Sequence, residues 1–144
     1  MITVDSILRQ KGTEVVTTTP ETTLQAAIRL LAERRIGALV VSRDGATVAG
    51  ILSERDLVRT LAERGPDALS APAEQVMTRD VVTCTREDAV DTLMAVMTGR
   101  RIRHIPVVED GRLCGMISIG DVVKSRIEEV EYEAQSLREY IAGY

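Results

Sequence analysis

The sequence predicts an α+β fold in which one βαββα unit occurs twice in tandem and an extended helix follows. Two observations lead to this prediction. Residues 15–45 match residues 81–111 at an offset of 66, and the match continues at an offset of 65 after one residue drops out near a turn. The same order of β-rich and helix-periodic segments is repeated in both copies. One continuous domain whose halves share only composition is the alternative.

The first copy opens with a β-branched run at Glu14–Thr18, and Thr22 with Gln25 predicts a capped helix start. Apolar residues at helical spacing follow at Leu24, Ala27, Ile28 and Leu31. Two β-rich runs, Ile36–Ser42 and Val48–Ser53, flank Arg43-Asp44-Gly45, and a second helix is predicted from Glu54 to about Glu63.

The second copy has the same order. A β-branched run at Val81–Thr85 precedes a weaker helix start at Asp88 with Asp91. Helical spacing continues through Val90, Leu93, Met94 and Met97. The β-rich runs Ile105–Glu109 and Leu113–Ser118 flank Asp110-Gly111, and the closing helix is predicted from Gly120 onward.

The composition narrows the class of protein. Hydrophobic residues make up 44% and charged residues 28% of the 144 residues, which is typical of a globular domain. A net charge of −4 and the lack of Phe and Trp argue against nucleic-acid binding. Cys84 and Cys114 form no metal-binding motif, and no signal or membrane segment is evident. We therefore expect a cytoplasmic protein with no metal site and no membrane or nucleic-acid partner.

The segments Gly50–Asp56 and Gly115–Asp121 share the spacing Gly-x-x-Ser-x-x-Asp where a strand ends and a helix begins. A helix N-terminus favours anions, and a carboxylate can accept hydrogen bonds from two ribose hydroxyls. Ser53 with Asp56, and Ser118 with Asp121, could therefore hold a ribose phosphate. Simple helix capping by the same residues is the open alternative.

The whole chain from about residue 5 to 127 resembles a CBS-domain pair, and in particular stand-alone bacterial pairs. The segments that carry the resemblance are Thr17–Pro20, Arg35–Val41, Gly50–Asp56, Arg101–Val107 and Gly115–Asp121. The resemblance implies two repeats packed through their sheets, with two clefts that bind adenosine-containing ligands. It also implies a regulatory role without a catalytic residue.

The resemblance further implies which residues line each cleft. The Asp56 cleft would combine residues of both copies: Ser53, Asp56, Thr78, Arg79, Val81, Ile102 and Arg103. The Asp121 cleft would have a base-binding segment, a wall and the second Ser-Asp pair: Lys11, Gly12, Thr13, Ile36, Gly37, Ala38, Ser118 and Asp121. Arg103 and His104 stand where copy one has Gly37 and Ala38, so the clefts differ in charge. Pairing of these two residues with acidic surface neighbours is the alternative.

We predict a first repeat at 5–65, a linker at 66–76, a second repeat at 77–127 and a helical tail at 128–144. The tail continues a heptad pattern that begins in the closing helix: Val123, Ile127, Val130, Ala134, Leu137 and Ile141. This pattern predicts a homodimer in which the tail contacts the partner. Packing of the tail on its own domain is the alternative.

The function expected from these features is a non-enzymatic regulatory sensor of an adenine nucleotide, read out by an unknown downstream protein. AMP is the first candidate ligand, with ATP, ADP or an NAD-type dinucleotide also possible. A ligand-independent scaffold that dimerises through its tail is the second hypothesis. An enzyme with Asp56 or Asp121 as a general base is disfavoured, because the sequence offers no paired acid, nucleophile or metal cluster.

Overall fold

The two halves of the chain have the same architecture, in which helices pack against a small β-sheet. The structure is a computed structural model that describes residues 2–143. Five helices and five strands follow in chain order within these residues: α1 Val4–Lys11, β1 Thr17–Thr18, α2 Leu24–Arg34, β2 Ala38–Val41, β3 Gly50–Ser53, α3 Glu54–Arg64, α4 Val90–Arg100, β4 His104–Glu109, β5 Arg112–Ser118 and α5 Ile119–Ala142. The α+β class and the long C-terminal helix are confirmed.

The sheet of the first half has three strands and that of the second half has two. In the first, β1 pairs parallel with β2, and β2 pairs antiparallel with β3. In the second, β4 pairs antiparallel with β5, and Val107 and Val108 flank a bulge. Asp110 and Gly111 form the two-residue turn between these strands with φ of +52° and +76°, which confirms the hairpin predicted there.

The first strand of each repeat is shorter than predicted. The run Glu14–Thr18 forms only the two-residue strand Thr17–Thr18. The run Val81–Thr85 forms no strand, because Cys84 alone bridges to β4, donating its N–H to Pro106 and accepting from the N–H of Val108. The chain then turns at once, since the Asp88 carboxylate accepts the N–H of Thr85 at 2.8 Å.

The predicted N-termini of α2 and α4 were one residue too early. Thr23, not Thr22, caps α2 and accepts from the N–H of Ala26, while the Thr22 hydroxyl bonds the side chains of Thr18 and Thr19. Helix α4 starts after Ala89, which offers no capping side chain. Reciprocal capping boxes instead occur at the second helix of each repeat, where Ser-Asp pairs lie.

The connection around Asp44-Gly45 is a wider loop than the predicted tight hairpin, since β2 ends at Val41 and β3 begins at Gly50. The Asp44 carboxylate organises this loop by accepting from the N–H groups of Ala46 and Thr47. These hydrogen bonds also hold the pKa of Asp44 well below its ordinary value. A loop closed by a side chain in this way needs no two-residue turn.

Each of the two hydrophobic cores includes a segment from outside its own repeat. Helix α1 contributes Val4, Ile7 and Leu8 to the core of the second repeat. Met77 and the two short 3₁₀ helices at Pro66–Ser70 and Ala73–Gln75 pack against the first repeat. The predicted linker is therefore ordered and part of a core, and the repeat boundaries along the chain stay a prediction.

Two glycines permit this packing. A Cβ at Gly50 would lie 2.5 Å from Sδ of Met77, and one at Gly115 would lie 2.7 Å from Cδ2 of Leu8. Gly50 therefore lets Met77, which precedes the second repeat, pack directly on β3. Gly115 likewise lets Leu8, near the start of the chain, pack directly on β5.

Helix α5 extends beyond the body of the protein. Val122 and Ser125 face the core, whereas residues 130–143 are exposed. Of the tail predicted at 128–144, residues 128–142 are helical and do not pack on their own domain; Gly143 follows as a turn, and Tyr144 lies outside the described residues. None of the helices within residues 2–143 combines the length and apolar character of a membrane span.

Candidate functional site

A cavity of about 370 Å³ lies between the two repeats. Its first side is formed by β3 and the start of α3, and its second by the chain before α4 and the segment that leads from α4 into β4. The lining residues are Gly37, Ile51, Ser53, Glu54, Arg55, Asp56, Arg59, Thr78, Asp80, Val81, Val82, Arg100, Arg101, Ile102, Arg103 and His104. Both repeats therefore contribute to one concave site of a size typical for small ligands.

The Ser53–Asp56 pair lines this cavity, where β3 ends and α3 begins. Ser53 Oγ accepts from the N–H of Asp56 at 3.2 Å, and the Asp56 carboxylate accepts from the N–H and hydroxyl of Ser53 at 3.0 Å each. Asp56 is only 6% exposed, and its other oxygen accepts from Arg59 at 2.9 Å. The capping alternative thus describes this pair correctly, and one acceptor position on Oδ1 stays open to a further donor.

Cations outnumber carboxylates around the cavity. Five arginines and three carboxylates line it, which gives the site an excess of positive charge. Arg59 bonds Asp56, and Arg55 donates across the cleft to the carbonyl of Arg101 at 2.8 Å. The side chains of Arg100, Arg101 and Arg103 form no hydrogen bond or ion pair with any residue of 2–143. Three guanidinium groups are therefore free to bind an anion.

His104 lines the cavity beside Gly37. A Cβ at Gly37 would lie 3.0 Å from Cε1 of His104 and 3.1 Å from Oε1 of Glu54, so a larger residue would push the imidazole or the carboxylate away. Burial lowers the pKa of His104 below its ordinary value; Lys11 and Arg103 add to this effect, and Glu54 and Asp121 oppose it. The lowered pKa favours the neutral imidazole at pH 7.

The Ser118–Asp121 pair forms the same reciprocal capping box, but its carboxylate is bonded by a different cation. Ser118 Oγ accepts from the N–H of Asp121 at 3.2 Å, and the carboxylate accepts from the N–H of Ser118 at 2.8 Å. Lys11, at the end of α1, donates to the same carboxylate oxygen at 2.7 Å and to the carbonyl of Met116 at 2.8 Å. Although burial alone would raise the pKa of Asp121, the hydrogen bonds from Lys11 and Ser118 hold it below its ordinary value.

Six of the seven residues predicted for the Asp56 cleft line this one cavity: Ser53, Asp56, Thr78, Val81, Ile102 and Arg103. Arg79 does not line it, because its guanidinium donates to the carbonyl of Glu74 outside. Gly37, expected at the Asp121 cleft, lies instead at this cavity together with His104. The binding roles of all these residues stay predictions.

The structure brings some of the Asp121-cleft residues together. Lys11 contacts Asp121 directly, and Gly12 and Thr13 follow it as exposed residues. Ala38 is buried in β2 opposite Ser53, and Ile36 packs on the first core.

Sequence reasoning missed several residues that line the cavity. Arg100 and Arg101 match Arg34 and Arg35 in the repeat, so they gave no sign of a special role in one copy. Arg55 and Arg59 lie on α3 one turn apart, a spacing that could have indicated a shared cationic face. The others missed are Ile51, Glu54, Asp80 and Val82. Within residues 2–143, no three His, Cys, Asp or Glu side chains converge as metal ligands would.

Fold and cavity together define a class of tandem-repeat α+β proteins with a cleft between the repeats. Comparison with known proteins identifies that class. The CBS domain family model matches residues 2–63 and again 73–128. The chain therefore belongs to the CBS-domain family and carries a pair of these domains.

Similar proteins include stand-alone CBS-domain proteins. The crystal structure of the CBS-domain containing protein ATU1752 from Agrobacterium tumefaciens is 46% identical, with a TM-score of 0.84 over 87% of this chain and 99% of that one. The CBS domain-containing protein CBSX3, mitochondrial, from Arabidopsis thaliana is 36% identical over 98% of this chain and 72% of its own length. The CBS domain pair of protein MJ0100, solved with 5′-methylthioadenosine and S-adenosyl-L-methionine, shares the fold at 23% identity and a TM-score of 0.79, covering 90% of this chain and 98% of that one.

Proposed function

We propose that this protein is a regulatory sensor that binds an adenine nucleotide in the cavity between its repeats. The observation that carries the proposal is the combination of the Ser53–Asp56 pair with three unpaired arginines in one cleft. The MJ0100 pair, which has the same fold, binds adenosine-containing ligands, and this supports the class of ligand.

The cavity chemistry matches the two ends of a nucleotide. The open acceptor position on Asp56 and the hydroxyl of Ser53 suit the ribose hydroxyls. Arg103, with Arg100 and Arg101 beside it, suits the phosphate because a guanidinium donates two parallel hydrogen bonds. AMP is the first candidate, and ADP, ATP and NAD-type dinucleotides have the same two recognition elements.

The sensor would act as a cytoplasmic homodimer without catalytic activity of its own. Ligand binding would draw the two repeats together across the cleft that Arg55 already bridges. A ligand shifts such an equilibrium only by its difference in affinity for the two states, so another protein must read the change.

A scaffold that needs no ligand is the second candidate, and one observation favours it. The Asp56 carboxylate is buried and already accepts three hydrogen bonds within its own capping box and from Arg59. On this hypothesis the Ser-Asp pairs stabilise helices only, and the exposed part of α5 is the working surface.

The test is a thermal-shift and calorimetry panel on protein shown to be free of nucleotide. AMP, ADP, ATP, NAD, NADH, S-adenosylmethionine and GMP would be compared. A ligand at 100 times its dissociation constant stabilises the fold by about 2.7 kcal/mol, a clear rise in melting temperature. A response confined to adenine nucleotides supports the sensor; a flat panel supports the scaffold.

A matched pair of variants tests the role of the free arginines. Arg103→Gln should weaken binding of the phosphorylated ligands by at least about tenfold and leave adenosine unaffected, since it removes a charge-assisted contact. Arg112→Gln, an exposed position on β5 outside the cavity, should change neither. Equal loss in both variants would show a general charge effect and would contradict phosphate binding by Arg103.

A further inference from the structure

His104 presents an imidazole without a partner to the cavity between the repeats. The side chain is half-buried and lines the cavity, yet neither ring nitrogen takes part in a hydrogen bond or ion pair with any residue of 2–143. A neutral imidazole can donate one hydrogen bond and accept another, and both positions are open here. The ring is therefore available to a group that enters the cavity.

Gly37 of the first repeat makes room for this imidazole where the two repeats meet. The position of a Cβ at residue 37 lies 3.3 Å from Nε2 of His104 and 3.1 Å from Oε1 of Glu54, so imidazole and carboxylate converge on one point. Glu54 is the first residue of α3 and directly follows Ser53. His104 of the second repeat therefore lies beside the helix start that carries the Ser53–Asp56 pair.

Four charged groups from four parts of the chain act on the imidazole. Glu54 of α3 and Asp121 of α5 favour the imidazolium, whereas Lys11 of α1 and Arg103, which precedes β4, oppose it. Burial opposes it most, so the pKa of His104 lies below its ordinary value of 6.5. Because the favourable and unfavourable charges are equal in number, a further negative charge near the ring would favour the imidazolium.

A ligand phosphate would bring that negative charge. Arg103, whose guanidinium is unpaired within residues 2–143, is the neighbour of His104, and Arg100 and Arg101 line the same cavity. An opposite charge within about 4–6 Å of a histidine raises its pKa, so a phosphate held by these arginines favours protonation of the ring. An imidazolium then gives the phosphate a charge-assisted hydrogen bond, which is stronger than one from the neutral ring.

We propose that the cavity binds a phosphorylated ligand together with one proton, which His104 takes up from solvent. The inference rests on the proposed function and adds its regulation, since the sensor then responds to both nucleotide concentration and pH. Affinity for the phosphorylated ligand should rise as the pH falls, because the bound state holds more protons than the free state. One linked proton limits this rise to about tenfold per pH unit.

The chain contains a single histidine, so its titration can be followed without interference. Nuclear magnetic resonance of protein with isotope-labelled histidine gives the titration midpoint of the imidazole, first in the free protein and then in protein saturated with AMP. We expect AMP to raise this midpoint by about one pH unit, the equivalent of a tenfold change in affinity. Adenosine, which lacks a phosphate, should leave the midpoint unchanged. A midpoint that AMP does not move, or that adenosine moves equally far, overturns the proposal.

Calorimetry of AMP binding between pH 8 and pH 5.5 gives an independent measurement. Over this range the affinity of the wild-type protein should rise about three- to tenfold relative to that of His104→Gln. The two proteins are compared because the phosphate of AMP itself titrates near pH 6 and affects both equally. The control Arg112→Gln, outside the cavity, should keep the pH dependence of the wild-type protein. Equal pH dependence in wild type and His104→Gln overturns the proposal.

Glu54→Gln distinguishes the ligand phosphate from the neighbouring carboxylate as the group that favours the imidazolium. We expect a lower midpoint for the free variant, and a rise on AMP binding as large as in the wild-type protein, since the ligand supplies the charge. If AMP only pressed the imidazole against Glu54, the rise would disappear in this variant, and proton uptake through the phosphate would be wrong.

The outcomes separate this inference from the function on which it rests. A nucleotide panel without any binding from pH 8 to pH 5.5 overturns the sensor and the proton coupling together. Binding of AMP with an unchanged midpoint of His104 overturns the coupling alone, and so does a panel in which only S-adenosylmethionine, which has no phosphate, binds. If another phosphorylated adenine ligand binds in place of AMP, the same titration is made with that ligand. Circular dichroism at both ends of the pH range confirms that each variant is folded.

Discussion

The ammonium nitrogen of Lys11 lies 2.7 Å from Oδ2 of Asp121. A side chain of the first helix therefore donates a hydrogen bond to the carboxylate at the end of the second Ser-Asp segment. The corresponding Asp56 is bonded by Arg59 of its own helix instead. The two Ser-Asp pairs are therefore bonded differently in the structure. A donor that approaches Asp121 must compete with Lys11, and one that approaches Asp56, which lines the cavity between the repeats, must compete with Arg59.

The first prediction concerns the two carboxylates. Asp56→Ala should abolish nucleotide binding at its cavity, and Asp121→Ala should remove only binding at the second cleft. Each should also lower stability by about 1 kcal/mol through loss of a capping contact. Calorimetric stoichiometry measures both effects. Asp88→Ala, which removes an acceptor at another helix start, is the control. Stability loss with unchanged binding in all three variants would leave the carboxylates as caps alone.

The second prediction follows from the Lys11–Asp121 pair. The pKa of Asp121 is lowered in the folded state, so its contribution to stability is present above the ordinary value near 3.8 and is lost as the pH falls through the folded value. Lys11→Met should therefore destabilise the protein at pH 7, and the destabilisation should become smaller as the pH falls below 3.8 towards the folded value. Thermal melts across this range measure the difference. Lys124→Met, an exposed lysine on α5, should show no such dependence.

The third prediction uses the single histidine of the chain. Because burial lowers the pKa of His104, the unfolded state binds more protons between the ordinary and the folded value. The fold should lose stability as the pH falls from about 7 through the ordinary value near 6.5 towards the folded one. His104→Gln should reduce that loss between pH 7.5 and 5.5. Identical pH profiles for the two proteins would show that the imidazole is solvated.

The fourth prediction concerns the close contact of Gly50 with Met77. Gly50→Ala places a Cβ 2.9 Å from the carbonyl oxygen of Thr78 as well as on Met77, and should cost about 1–3 kcal/mol. Gly99→Ala, at an exposed position in the last turn of α4 with nothing within 4 Å, should instead stabilise by about 0.5–1 kcal/mol. Denaturant unfolding measures both. A neutral Gly50→Ala would mean that the strand and residue 77 separate easily.

The fifth prediction concerns the end of α2. Arg35 adopts a left-handed conformation with φ of 54°, which is unfavourable for a residue with a Cβ by about 1 kcal/mol. Arg35→Gly should therefore stabilise the fold by about that amount. Arg29→Gly, within the same helix, should destabilise it by a similar amount. A melting temperature that falls in both variants would show that the Arg35 side chain makes a compensating contact.

The repeat and its helix-strand order could be predicted from the sequence because they depend on local patterns that occur twice. The ends of helices could not be predicted, because they depend on contacts made in the folded chain. The Thr22 hydroxyl, for example, bonds Thr18 and Thr19, and the spacing of residues does not show this. At the site, six residues were placed in one cleft through the resemblance. Arg100 and Arg101 were missed because only the packing of one repeat against the other turns them towards the cavity.

The core segments from outside each repeat have a consequence for biosynthesis. Val4, Ile7 and Leu8 leave the ribosome first, yet their packing partners begin at Cys84. The first core is complete once Met77 has been made, whereas α1 stays without its core until the second repeat emerges. Contacts this distant along the chain slow folding. The protein should thus unfold and refold as a single cooperative unit, and separately expressed halves should aggregate rather than fold.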